Sequence, residues 1–138
     1  MKLMYFDGRG LAETTRILLA AANKEYEDFR YPCTFGTPGD FSTLKRDEWQ
    51  AARDSGELDS TMGMLPCIEI DGVRIGQSKA VERFAAKACG FMGANEVEAG
   101  LIDMLTCAIQ DSKDAYNKVK AIKDEGEKKA AMDKYFAE

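Results

Sequence analysis

Leu3, Met4, Tyr5 and Phe6 form a short apolar run that stops abruptly at Asp7-Gly8-Arg9-Gly10. A run of this length closed by glycines predicts a buried strand over residues 2–6. From Leu11 to Ala22 the apolar positions recur at three and four, which predicts a helix. Leu11, Thr15, Leu18 and Ala22 share one face, and Asn23-Lys24 is its exit. Residues 26–31 alternate and predict a second strand, and the β-α-β order makes the two strands parallel. Residues 32–44 carry Gly36, Pro38 and Gly39 without any period and read as a long loop. A short helix around Trp49 is expected over 47–53, followed by loop from Gly56 to Gly63.

The next stretch, GMLPCIEIDGVRIGQSKAVERFAAKACG, changes period twice. Residues 66–70 predict a strand, Asp71-Gly72 a tight hairpin turn, and 73–75 the returning strand. Ser78 is a candidate cap for a helix running to Cys89, with Gly90 as its C-terminal stop. Beyond Gly90 the pattern becomes helical. Residues 96–123 predict one long helix whose stripe runs through Val97, Leu101, Met104, Leu105, Ala108, Ser112, Ala115, Val119 and Ile122. A shorter helix follows over 127–136. The pattern divides the chain into an α/β domain at 1–90 and a helical segment at 91–138. Within it, Tyr5 raises a question of its own. A phenol beside a glycine turn either packs and hydrogen-bonds internally or aims its hydroxyl at a ligand.

Charge and composition narrow the function. The 138 residues carry a formal net charge of -5, which argues against nucleic acid and anionic membrane as partners. No segment is apolar for long enough to span a bilayer, and the N-terminus lacks the layout of a signal peptide. The four cysteines, Cys33, Cys67, Cys89 and Cys107, have no CxxC spacing and read as free thiols of a reducing compartment, with no metal site. Histidine is absent altogether, so acid–base chemistry falls to tyrosine, carboxylates, lysine or backbone groups.

Three stretches together resemble the cytosolic glutathione S-transferases: YFDGRGLAE at the first turn, MLPCIEIDG before the hairpin and GQSKAVERF at the third helix. The Tyr-using, sigma-like class is the most similar. The resemblance implies a thioredoxin-like βαβ-ββα domain followed by a partial all-α C-terminal domain. It implies glutathione as a substrate and a small electrophile as its partner in the reaction. Tyr5 then matches the tyrosine that donates its hydroxyl to the glutathione sulfur. A free thiol has a pKa near ~8.5, and a hydrogen bond to the charged form lowers it. Pro66 matches a cis-proline that turns the Leu65 backbone toward the cysteinyl group of glutathione. Gln77 and Ser78 match the pair that binds the γ-glutamyl carboxylate at a helix N-terminus. Trp49 and Arg53, one turn apart, resemble the Trp and Lys that hold the glycine end. Asp111 matches an acidic residue that reaches the γ-glutamyl amine across a dimer interface.

Two departures from the family pattern stand out. Leu11 occupies a position where many Tyr-using members have an arginine that strengthens the field around the thiolate. The sequence also stops after what corresponds to the second helix of the C-terminal domain, which leads to the expectation of a truncated form. An uncovered apolar stripe on helix 96–123 would seek a partner, in a homodimer or as one subunit of a larger complex. The leading expectation is therefore a transferase of the cytoplasm or another reducing compartment. A non-catalytic accessory subunit, or a module that binds glutathione or apolar ligands, stands as the alternative.

Overall fold

The computed structural model describes residues 1–138 apart from Gly39 and Glu138. These residues form two compact units, 1–91 and 92–138. The first unit is built on a four-stranded sheet. Its strands are β1 (Lys2–Phe6), β2 (Glu27–Tyr31), β5 (Cys67–Ile70) and β6 (Val73–Ile75), in the order β2-β1-β5-β6. β1 and β2 are parallel, with Lys2 opposite Glu27 and Tyr5 opposite Arg30; β1–β5 and β5–β6 are antiparallel. The parallel pair needs a crossover, and α1 (Glu13–Ala21) supplies it. The β5–β6 pair needs only Asp71 and Gly72, whose φ values of 51° and 80° give the doubly left-handed turn that matches strand twist. This is the thioredoxin-like order expected from the sequence.

Alternation along β1 sends successive side chains to opposite faces. On one face Leu3 joins Ala12, Ile68 and Val81. On the other, Met4 joins Tyr31, Ala52, Leu58, Leu65 and Cys67. Leu3 and Ile68 are fully buried, and each contributes about 1.5 to 3 kcal/mol relative to exposure. Tyr5 packs against both clusters, because it stands at the strand end where the two faces meet.

Several expectations need correction. A 3-10 turn over Gly10–Ala12 precedes α1, and the buried face is Ala12, Thr15, Arg16 and Leu19; Leu11 is exposed. The apolar count placed the face one position away because Arg16 is buried through ion pairing, which hydrophobicity does not register. The expected loop at 32–44 holds a small ladder, β3 (Thr34–Phe35) with β4 (Leu44–Lys45), and Gly39 of that loop lies outside the described residues. Helix α2 spans Asp47–Asp54, with Asp47 and Glu48 in its first turn and Arg53 in its last, both favourable for the helix dipole. Helix α3 spans Ser78–Ala88, but Ser78 is not its cap. Gln77 holds that position at φ 69°, its carbonyl accepts from Val81 N–H at 2.9 Å, and no side chain caps the end.

The second unit contains α4 (Glu96–Lys120) and α5 (Glu125–Ala137). Asn95 caps α4 by accepting from the N–H groups of Val97 and Glu98 at 3.0 Å each. The Asp124 carboxylate accepts from Glu127 N–H at 2.8 Å and starts α5 two residues earlier than the apolar pattern suggested. The Tyr135 hydroxyl donates to the Ser112 carbonyl at 3.1 Å, and the Tyr116 and Tyr135 rings pack at 5.7 Å. None of the described residues of α4 or α5 is buried, and Val97, Leu101, Met104, Leu105 and Ile109 stay exposed. Among the described residues no helix is long and apolar enough to cross a membrane.

Candidate functional site

The first corner of the site is the end of β1. Tyr5 lies beneath the 3-10 turn, and its hydroxyl oxygen accepts a hydrogen bond from Leu11 N–H at 3.1 Å. Gly10 makes that approach possible. Its φ is 41°, and a Cβ there would stand 2.5 Å from the Tyr5 oxygen and 2.9 Å from the ring. No L side chain fits such a gap, so the turn closes over the phenol only through glycine. With the oxygen accepting from the backbone, the hydroxyl proton remains to be donated, and cooperativity strengthens it as a donor. The departure at Leu11 thus leaves the Tyr5 oxygen with a partner, supplied by the backbone of that same residue.

The second corner is α2. Trp49 meets Phe6 edge to face at 5.4 Å, which anchors the helix to the end of β1. Two guanidinium groups flank the indole, Arg46 at 5.3 Å and Arg53 at 5.4 Å from the ring centre, and Arg46 also lies 5.1 Å from Phe6. Among the described residues neither arginine has a carboxylate within ion-pair distance. The indole nitrogen of Trp49 is buried with no hydrogen-bond partner among the described residues. A buried N–H left unmatched costs about 1 to 3 kcal/mol, so this corner is short of an acceptor and of negative charge together. Arg46 was not singled out from the sequence. Its signal was its place three residues before Trp49, at the cap position of the same helix.

Between the corners lies the Leu65–Pro66 peptide, which is cis. Leu65 and Cys67 belong to the cluster against which Tyr5, Phe6 and Trp49 all pack, and Pro66 is fully buried. Tyr5, Trp49 and Leu65, far apart in sequence, are therefore brought onto one apolar floor. Burial pushes the Cys67 thiol in that floor up to about 11, so it stays protonated at neutral pH. Gln77 and Ser78 open α3, whose first N–H groups have no intrahelical acceptor. The described residues show no hydrogen bond from either one to Tyr5 or Trp49. Asp111 is exposed on α4, in the second unit.

No protein-family model matches the chain. Individual proteins do. The chain is 38% identical over 109 residues to glutathione S-transferase S1 of Drosophila melanogaster, a match covering 79% of this chain and 37% of that protein. It is 32% identical over 123 residues to S-crystallin 2 of Octopus vulgaris, covering 88% of this chain and 49% of the other. The chain thus spans half or less of the length of these relatives. Among solved structures, it is similar to the monomeric glutathione S-transferase Na-GST-3 of Necator americanus. The TM-score is 0.74 with 31% identity, over 99% of this chain and 63% of that one. A sequence that follows a transferase fold over nearly its entire length, and shares more than a third of its matched positions with an insect transferase, belongs to the glutathione S-transferase family.

Proposed function

We propose that the chain binds glutathione across its first unit and, as a glutathione transferase, uses Tyr5 to hold the thiol as thiolate for attack on a small electrophile. The observation that carries this reading is the Tyr5 oxygen taking the Leu11 N–H at 3.1 Å. With the oxygen already accepting, the O–H is left to donate to a ligand at the end of β1. A thiolate there accepts it, and each pKa unit gained is about 1.4 kcal/mol of preference for the charged form.

The rest of the tripeptide has matching chemistry at each end. Its glycine carboxylate would take the Trp49 N–H together with Arg53 and Arg46, which supplies the acceptor and the charge that corner lacks. The Leu65 backbone, beside the cis-proline, would pair with the cysteinyl amide as an added strand does. Gln77, Ser78 and the free N–H groups of α3 would take the γ-glutamyl carboxylate. Asp111 would reach the γ-glutamyl amine only from a second copy, so its role depends on a homodimer made through α4. An accessory role within a larger assembly remains the competing reading, and it predicts binding without turnover.

The test is the ultraviolet absorbance of the bound thiolate, followed against pH, in the wild type and in Tyr5→Phe. The wild type should form thiolate well below the ordinary thiol range. The Phe variant should bind glutathione and require higher pH. Equal profiles would remove Tyr5 from the mechanism.

A further inference from the structure

We infer that Arg16, held by Asp28, is the positioning residue for the Tyr5 phenol, because its guanidinium clamps the carbonyls of the 8–10 turn and so sets where Leu11 N–H meets the Tyr5 oxygen. This rests on the reading of Tyr5 as the donor to a bound thiol. Arg16 is buried on α1; its Nε and Nη1 are divided between an anion and a piece of backbone, and its Nη2 is buried without a partner among the described residues. Nε lies 3.2 Å from each oxygen of Asp28. Nη1 donates to the Gly8 carbonyl at 2.8 Å and lies 3.3 Å from that of Arg9. Glu13 approaches the same nitrogen at 3.4 Å. The guanidinium carbon stands 5.9 Å from the centre of the Tyr5 ring.

An ion pair that served stability alone would be complete with Asp28 and Glu13. Here the shortest contact of the group goes instead to the turn, two residues before Gly10 and three before Leu11. Those are the two residues that touch the phenol oxygen, one by steric limit and one by hydrogen bond. Asp28 is itself fixed. It sits on β2 opposite Leu3, and Arg30 holds one of its oxygens at 2.9 and 2.7 Å. A path of direct contacts thus runs from the sheet through Asp28 and Arg16 to the turn, and from the turn to the Tyr5 hydroxyl. A charged fork with three separate targets tolerates little displacement. Donor placement for chemistry needs about 0.5 Å.

The experiment is amide hydrogen exchange in the whole ligand-free chain, comparing wild type, Arg16→Lys and Asp28→Asn, with Ile68 and Val81 as core references. Lysine keeps the charge but cannot fork between Asp28 and two carbonyls. The asparagine variant keeps Arg16 and loses its anchor. Leu11 N–H should exchange about tenfold or more faster in both variants, the loss expected for one charge-assisted hydrogen bond, while Ile68 and Val81 keep their wild-type rates. An unchanged Leu11 rate would overturn the clamp. So would Leu11, Ile68 and Val81 accelerating together, because that marks an ion pair acting on global stability only. A second readout uses glutathione. In Arg16→Lys the thiolate absorbance should shift to higher pH while affinity for S-methylglutathione stays as in the wild type, which a general loss of fold would not produce. If the wild type forms no thiolate at all, the glutathione reading fails, and the Leu11 rates still decide the clamp.

Discussion

The two corners of the site both contain arginine beside an aromatic ring, and they are wired in opposite ways. At Tyr5 the guanidinium of Arg16 is paired with Asp28 and bonded to backbone carbonyls, and the phenol oxygen has its backbone donor. At Trp49 the guanidinium groups of Arg46 and Arg53 lie over the ring, and among the described residues they have no carboxylate and the buried indole N–H has no acceptor. At the first corner Nε and Nη1 of Arg16 have partners, Nη2 alone is buried without one among the described residues, and the phenol oxygen is held by a backbone donor. The second holds an unpartnered N–H and two guanidinium groups, which an anion would satisfy. The difference suggests a division of labour: the Tyr5 corner governs reactivity, and the Trp49 corner governs affinity.

The largest effect should follow from damaging the first corner. Gly10→Ala forces a Cβ to within 2.5 Å of the Tyr5 oxygen at a φ of 41°. The phenol must move, and turnover should fall by about 2 to 4 kcal/mol in activation free energy, the worth of one well-placed donor. Steady-state kinetics would show this in kcat, with the affinity for S-methylglutathione nearly kept. Loss of affinity with kcat unchanged would reverse the assignment of the corners.

Next in size is Arg53→Met. It removes the cation beside Trp49 that lies over that ring alone, so glutathione affinity should weaken by about 1.5 to 3 kcal/mol by calorimetry, with kcat little affected. Arg46→Met should act in the same direction and less, about 0.5 to 1 kcal/mol, since its group is spread over two rings. A drop in kcat from either variant would show that the corners are not separable.

The smallest effect concerns the floor that both corners share. Cys67 is fully buried and its thiol titrates at about 11, whereas Cys107 is exposed. At pH 8 about a thousandth of Cys67 is thiolate. Alkylation should therefore modify Cys107 first and leave Cys67 untouched, with any Cys67 reaction rising as pH climbs toward 11. Mass spectrometry of the labelled peptides gives the order. Early labelling of Cys67 would mean that the floor opens and that the corners are not rigidly joined.

Local chemistry made some of this legible in the sequence and tertiary chemistry concealed the rest. Asp71-Gly72 announced its hairpin because the turn's backbone angles depend on those two residues alone. Gly8 and Gly10 likewise marked a turn over Tyr5. Residue type alone did not show that Leu11 would offer its backbone N–H where an arginine was missing, because every non-proline residue has one. Arg16 was invisible for a different reason. Its burial depends on Asp28, a strand away, and a hydrophobicity count reads it as solvent-facing. Arg46 carries little signal in the sequence because its relation to Trp49 is a contact over the ring face across a helix start. In the second unit the apolar stripe of α4 was legible as a pattern, yet four of its large side chains, Val97, Leu101, Met104 and Leu105, are exposed, so the period marked the helix without marking a buried face.

The division between the corners is tested most directly by measuring the affinity of glutathione and of S-methylglutathione for three proteins: the wild type, Tyr5→Phe and Arg53→Met. The measurement is made at a pH where the wild-type complex holds the thiolate. Methylation removes the charge that Tyr5 is positioned to stabilise and leaves the glycine carboxylate unchanged. The account predicts that Tyr5→Phe weakens glutathione but not its S-methyl analogue, and that Arg53→Met weakens both by the same factor. Equal losses for the two ligands in Tyr5→Phe, or a loss confined to glutathione in Arg53→Met, would contradict it.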